Sequence, residues 1–168
     1  MTIYIIIFDF FVVLWYASGM IVKGYMPMDA NNLSKAITLL NSTDNTCVLC
    51  NDHTVLTDKR RGVRPLLDLL ENNTNVENFS VADKVVGKAA AFLYCLLKVK
   101  NLYARVISQP ALDILHQAGI ETQYSELVPA IQNRTKDGFC PMERAVWDIT
   151  SASEALVAVQ QTLEKLSK

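Results

Sequence analysis

Six residues in the second half of the chain could hold or attack a small anion: Lys88, Ser108, Asn133, Arg134, Cys140 and Glu143. Arg134 supplies a planar, permanently charged guanidinium that matches phosphate or carboxylate. Cys140 precedes Pro141, and Pro suits the first turn of a helix. The thiol is therefore expected at a helix start, where free N–H groups and positive potential favour a thiolate and a nucleophile. A competing reading pairs Arg134 with Glu143 and leaves Cys140 as an ordinary cap-region residue. Lys88 can pair with Asp83 or Glu143, or hold an anion. Gly87 just before it costs about 1 kcal/mol in a helix relative to Ala. It signals either close packing or room for a ligand.

Other chemistry-bearing residues read as structural. Cys47-Val48-Leu49-Cys50 has the spacing of a zinc knuckle or redox pair. It falls in a predicted strand, where positions i and i+3 point to opposite faces. No second cysteine pair follows at zinc-ribbon spacing, and His53 lies across a turn, so the pair reads as two small hydrophobes. Cys95 reads the same way within an apolar helix. His116 is expected near the negative end of a helix, where it favours the dipole.

These residues need a scaffold, and 168 residues suffice for one domain with a real core. The net charge of −1 offers no electrostatic footprint for nucleic acid or an anionic membrane. Four cysteines without a disulfide pattern point to reduced thiols and a cytoplasmic protein. An oligomer remains open.

The first 28 residues differ from the rest. Ile3 to Val22 is nearly continuous apolar sequence, broken only by Asp9, and about 20 such residues can span a bilayer as a helix. Three readings compete: a membrane anchor, a signal peptide without its positive n-region, or an extension upstream of a true start at Met26 or Met28. Asp9 counts against the anchor, because an unpaired carboxylate is costly in lipid. Residues 1–28 are thus taken as an apolar extension and 29–168 as one domain.

Within that domain Asn32 is expected to cap a helix with Leu33, Ala36, Ile37 and Leu40 on one face. Cys47 to Thr57 reads as a hairpin turning at Asn51-Asp52. Pro65 opens a short helix, and Asn72 to Asn78 is a loop. Ser80 is expected to cap a helix that includes Asp83-Lys84-Val85-Val86-Gly87-Lys88 and runs, apolar all round, to about Leu97. Such a helix must be covered on every side. Leu102 to Ile107 and Ile120 to Tyr124 are strands flanking a helix capped by Ser108 or Gln109 and ended by Gly119. That βαβ unit requires parallel strands. Glu126 to Ile131 is taken as one helical turn, Asn133 to Phe139 as a loop and Cys140 to Ile149 as a helix. Ser151 and Glu154 form a capping box for a last helix carrying Leu156, Val159, Leu163 and Leu166.

The ordered set Gly87-Lys88-Ala89-Ala90-Ala91, Ser108, Asn133-Arg134 and Cys140-Pro141-Met142-Glu143 resembles an uncharacterised prokaryotic family of unknown function. Its fold is like that of cytidine deaminases, and the likeness covers about Leu33 to Ile149. It implies a three-layer α/β/α fold with a mixed sheet of about four strands. Zinc deaminases hold the metal with His and two Cys at two helix starts, with a Glu moving protons. The corresponding starts here carry Gly87-Lys88-Ala89 and Ser108-Gln109-Pro110-Ala111, so zinc-dependent deamination is not supported and no metal or cofactor is expected.

Three functions stay open: binding of a nucleotide or other small phosphate-bearing molecule, an enzyme using Lys88, Cys140 and Glu143, and a structural or protein-interaction module. Ligands of open α/β sheets sit outside the carboxyl ends of parallel strands. The six residues are therefore expected to converge there.

Overall fold

The computed structural model describes the backbone of residues 4–8, 11–15, 21–24, 28–133, 135 and 137–167, and side chains from residue 32 onward within those ranges. By internal contacts the chain divides into two units, Met1–Asn31 and Asn32–Lys168. In the first, β1 (Tyr4–Phe8), β2 (Phe11–Trp15) and β3 (Ile21–Gly24) form an antiparallel three-stranded sheet. The described parts of the long apolar stretch are thus strands. Among the described residues no helix is long and apolar enough to cross a membrane.

Helix α1 (Met28–Ser42) leads into the second unit. It starts before Asn32, so Asn32 is not its cap. Instead the Asn32 amide donates to Asp52 Oδ1 at 2.8 Å, tying the helix to the turn after β4. Strands β4 (Cys47–Cys50) and β5 (Val55–Asp58) are the expected hairpin. Asn51 Oδ1 accepts from the N–H groups of His53 and Thr54 at the turn. Helix α2 (Arg64–Glu71) and the loop follow, with Asn73 and Asn78 at positive φ, a conformation Asn tolerates better than most residues.

The next segment departs from expectation. Ser80–Val86 is a strand, β6, and α3 (Lys88–Leu96) begins only after Gly87. Asp83 and Lys84 therefore lie in the sheet and not on a helix. The reason is tertiary: β6 is the middle strand, antiparallel to β4 and parallel to β7 (Asn101–Ser108), and both ladders satisfy its backbone. Its Val81, Val85 and Val86 suit a pleated surface. The sheet accordingly has five strands in the order β5-β4-β6-β7-β8, one more than expected.

Helix α4 (Gln109–Gln117) returns the chain to β8 (Glu121–Val128), parallel to β7, as the βαβ pattern requires. Gly119, at φ 73°, makes the turn between them. Strand β8 continues to Val128, which pairs with Ser108, so the first half of the segment read as a helical turn is strand. Helix α5 covers only Pro141–Ala145. The chain then tightens, with Trp147 N–H donating to the Arg144 carbonyl and Ile149 N–H to that of Val146. Ser151 stands at the start of α6 (Ala152–Leu166) but makes no capping bond; its hydroxyl pairs with Ser153.

Alternation along the strands sorts the two faces. Val48, Cys50 and Ala82 meet Ala36 and Leu40 of α1 on one side. Cys47, Leu49 and Val81 face the larger core on the other, with α2 to α6. The two cysteines of the pair do point to opposite faces. Helix α3 is the centre of the larger layer: Ala89 to Tyr94 are all buried, and α2, α4, α5 and α6 pack around it. The result is a three-layer α/β/α unit.

If the second unit carries its own core, a chain beginning at Met28 should be soluble and melt in one cooperative transition. Aggregation of that chain, with the full-length protein soluble, would move the boundary.

Candidate functional site

Strands β6 and β7 run parallel with Val86 opposite Ile107, so the starts of α3 and α4 lie side by side at one end of the sheet. Here a side chain from α5 reaches the first of them. Glu143 is 1% exposed, and its Oε2 accepts the backbone N–H of Lys88 at 2.7 Å. Its Oε1 accepts from the N–H of Ile131 at 3.5 Å. A carboxylate at a helix start meets unpaired N–H groups and the positive end of the dipole. Gly87 makes the approach possible: a Cβ there would overlap Glu143 Oε2 and come within 3.0 Å of Ile131 Cγ1. Of its two sequence readings, close packing is what the structure shows.

The neighbouring positions are also committed to structure. Ser108 is fully buried, and its hydroxyl accepts the N–H of Ala111, capping α4. The Lys88 ammonium donates to the Trp147 carbonyl at 2.5 Å and lies 5.8 Å from the centre of the Phe92 ring. Among the described residues no group of three or more His, Cys, Asp or Glu could hold a metal ion. The residues at the two helix starts, Lys88 and Ser108 among them, do not fit a zinc.

A cleft of about 850 Å³ opens beside this end of the sheet. It is lined by Asp83 to Val85 of β6, Arg105 and Val106 of β7, Thr46 and Cys47, the segment Arg60 to Leu66, Ile131 to Asn133, and Cys140 to Met142. Of the six residues singled out in the sequence, Asn133 and Cys140 line it. Lys88, Ser108 and Glu143 do not, and Arg134 lies outside the described residues. Cys140 is held by its N–H, which donates to the Ile131 carbonyl at 2.9 Å. Asn133 folds its own loop, donating to Asp137 Oδ1 at 2.6 Å. That bond and one from Thr135 lower the Asp137 pKa.

Beside the cleft, three side chains form a chain that the sequence reading did not bring together. Tyr94, fully buried on α3, donates from its hydroxyl to Asp83 Oδ2 at 2.6 Å. Asp83 Oδ1 accepts the N–H of Val85 at 3.0 Å. Cys47 Sγ lies 3.3 Å from the Tyr94 oxygen. With the tyrosine proton directed at Asp83, the thiol is left to donate, so the chain runs Cys47 to Tyr94 to Asp83. Burial pushes the Asp83 carboxyl up to about 6, against the opposing hydrogen bond from Tyr94. Burial first, and the nearby Asp83 second, push both Tyr94 and Cys47 upward. The available signal was an aspartate among the apolar residues of β6, opposite Cys47 in the ladder.

The cleft's charge is lopsided. Among the described residues, Arg60, Arg61, Arg64, Lys84 and Arg105 line it against a single carboxyl, Asp83. Arg60 is tied to Asp58 and Asp68, and Arg64 to Asp68 and Glu71. Lys84 donates to the Asp44 carbonyl and Arg105 to the side-chain oxygen of Asn41. Among the described residues neither Arg61 nor Arg105 pairs with a carboxylate.

Fold and site together define a three-layer α/β/α protein with a mixed five-stranded sheet. The chain belongs to the family described as Domain of unknown function (DUF1893), whose sequence model matches residues 35–163. It is similar to the crystal structure, at 2.70 Å, of a DUF1893 family protein from Thermotoga maritima. That match has 28% identity and a TM-score of 0.71, covering 80% of this chain and 90% of that one. A dCMP deaminase from the cyanophage S-TIM5, in apo form, aligns with a TM-score of 0.37 and 11% identity over 57% of this chain and 95% of that one. No curated protein matches the chain.

Two outcomes follow from the geometry. Gly87→Ala and Glu143→Ala should each lower stability by about 1–3 kcal/mol, the first by overpacking and the second by stranding the Lys88 N–H. Glu143→Gln, which can still accept, should cost about 1 kcal/mol or less. Melting temperatures read the order. Asp83 adds a pH dependence. Its folded pKa of about 6 lies above the ordinary 3.8, so the folded state holds the proton more tightly. Its contribution is fully present below about 3.8 and is lost as pH rises through about 6. Relative to Asp83→Asn, the wild type should lose on the order of 2 kcal/mol across that window and then level off. Parallel pH–stability curves for the two would contradict the assignment.

Proposed function

We propose that this protein binds a small phosphate-bearing molecule, a nucleotide or related metabolite, in the cleft beside Asp83, without zinc-dependent deamination. The observation that carries this reading is the lining of that cleft: among the described residues, five cationic residues and one carboxyl, with Arg61 and Arg105 in no ion pair with a carboxylate, in a chain whose net charge is −1. A concave wall of one sign focuses potential and raises the local concentration of an anionic ligand. The volume lies within the range of small-molecule sites. Arg61 and Arg105 supply the charge, with Lys84 beside Asp83. Asn133 and Cys140 also line the cleft, and Arg134 follows Asn133 in the sequence.

The alternative of an enzyme built on Lys88, Cys140 and Glu143 has weaker support, because Glu143 and the Lys88 ammonium are spent on backbone groups. A purely structural role would follow if the old helix-start pocket were the only one; the cleft at Asp83 favours binding instead.

A thermal-shift screen of nucleotides and simple phosphates tests the proposal. Wild type should gain stability with at least one of them, and Arg61→Ala and Arg105→Ala should each weaken that gain roughly tenfold in ligand concentration or more. Equal stabilisation of wild type and both variants would put the ligand elsewhere.

A further inference from the structure

The cations of the cleft account for a phosphate, but they leave its carboxyl unexplained. Asp83 works against anion binding, and burial against it is costly unless it is bonded. It is nevertheless held with care. Tyr94 donates to one oxygen and the Val85 N–H to the other. Cys47 stands behind the tyrosine at 3.3 Å. A carboxylate has about four lone-pair sites, so two such bonds leave acceptor capacity unused. Asp83 and Cys47 both line the cleft, while Tyr94 is fully buried behind them. The volume of about 850 Å³ also exceeds what a bare phosphate would fill.

We propose that Asp83 is the specificity-determining residue of the cleft, accepting a hydrogen bond from a hydroxyl or amino group of a phosphate ester whose phosphate the neighbouring cations hold. This rests on the phosphate-binding reading above. The ligand class is then a phosphorylated sugar, nucleoside or amino alcohol, rather than inorganic phosphate or an ester without donors. Tyr94 and Cys47 are positioning residues. The tyrosine hydroxyl, donating toward Asp83, fixes the carboxyl against rotation and leaves its remaining lone pairs for the ligand. Leaving a buried acceptor without a donor is what rejects the wrong ligand, so discrimination arises from the unmade bond.

Calorimetric titration of the full-length protein separates the possibilities. Two matched pairs serve as probes: adenosine monophosphate against its dideoxyribose counterpart for the hydroxyl, and phosphoethanolamine against ethyl phosphate for the amine. Wild type should prefer the donor-bearing member of at least one pair by roughly tenfold or more. Asp83→Ala should bring that ratio close to one while pyrophosphate still binds. Tyr94→Phe keeps the carboxyl but frees it, and should lower the ratio without abolishing anion binding. Ratios near one for both pairs in wild type, with the anions still bound, would overturn the inference and leave the phosphate reading standing. A ratio unchanged in Asp83→Ala would overturn it as well. If no anion binds wild type at all, both readings fail.

Discussion

One buried carboxylate decides what this end of the fold can be. Glu143 comes from a short helix after the sheet, and its oxygens engage the backbone at Lys88 and Ile131. Three otherwise separate features depend on it. Gly87 must lack a side chain, because any Cβ would collide with the carboxylate. The start of α3 has its N–H group satisfied from within the protein. The Ile131 segment is fixed, and through the Ile131 carbonyl so is the backbone of Cys140. A charge removed from water this completely must be matched by hydrogen bonds and favourable potential, and a helix start offers both.

With that position filled from within, the open space lies to one side. The cleft runs over the later residues of β6 and β7, the carboxyl ends of parallel strands, where open α/β sheets bind ligands. Its wall includes the middle strand of the sheet, and the most buried helix stands behind it. Asp83 belongs to β6, the middle strand, and Tyr94 to α3, the buried helix, so their bond is held by sheet and helix rather than by loops. The cations come from the segment before α2, from the first residue of α2, from β6 and from β7.

Much of the layering was legible in the sequence. The hairpin, the βαβ unit, the Ser108 cap and the Gly119 turn follow from local rules that tertiary structure did not override. The apolar run of α3 announced a helix covered on all sides. What local rules could not reveal was β6. Ser80 to Val86 carries a plausible cap and charged residues that suit a helix start, and only pairing on both edges makes it a strand. That single misreading removed one strand from the sheet and moved Asp83 from a helix to the cleft wall. The same limit hid the Asp83, Tyr94 and Cys47 chain, whose members are far apart in sequence. Cys47 and Cys50 were read correctly as buried side chains on opposite faces, yet Cys47 does more than fill space. Of the residues chosen for their chemistry, Glu143 and Ser108 turned out to satisfy the backbone, a use that residue type alone does not distinguish from ligand binding.

The central claim is that the ligand site of this fold lies at the Asp83 cleft and not at the paired helix starts. A crystal structure of the protein soaked with adenosine monophosphate tests it most directly. The account predicts phosphate density between Arg61 and Arg105, with Glu143 still on the Lys88 N–H. Density at the starts of α3 and α4, with the Glu143 carboxylate displaced, would contradict it.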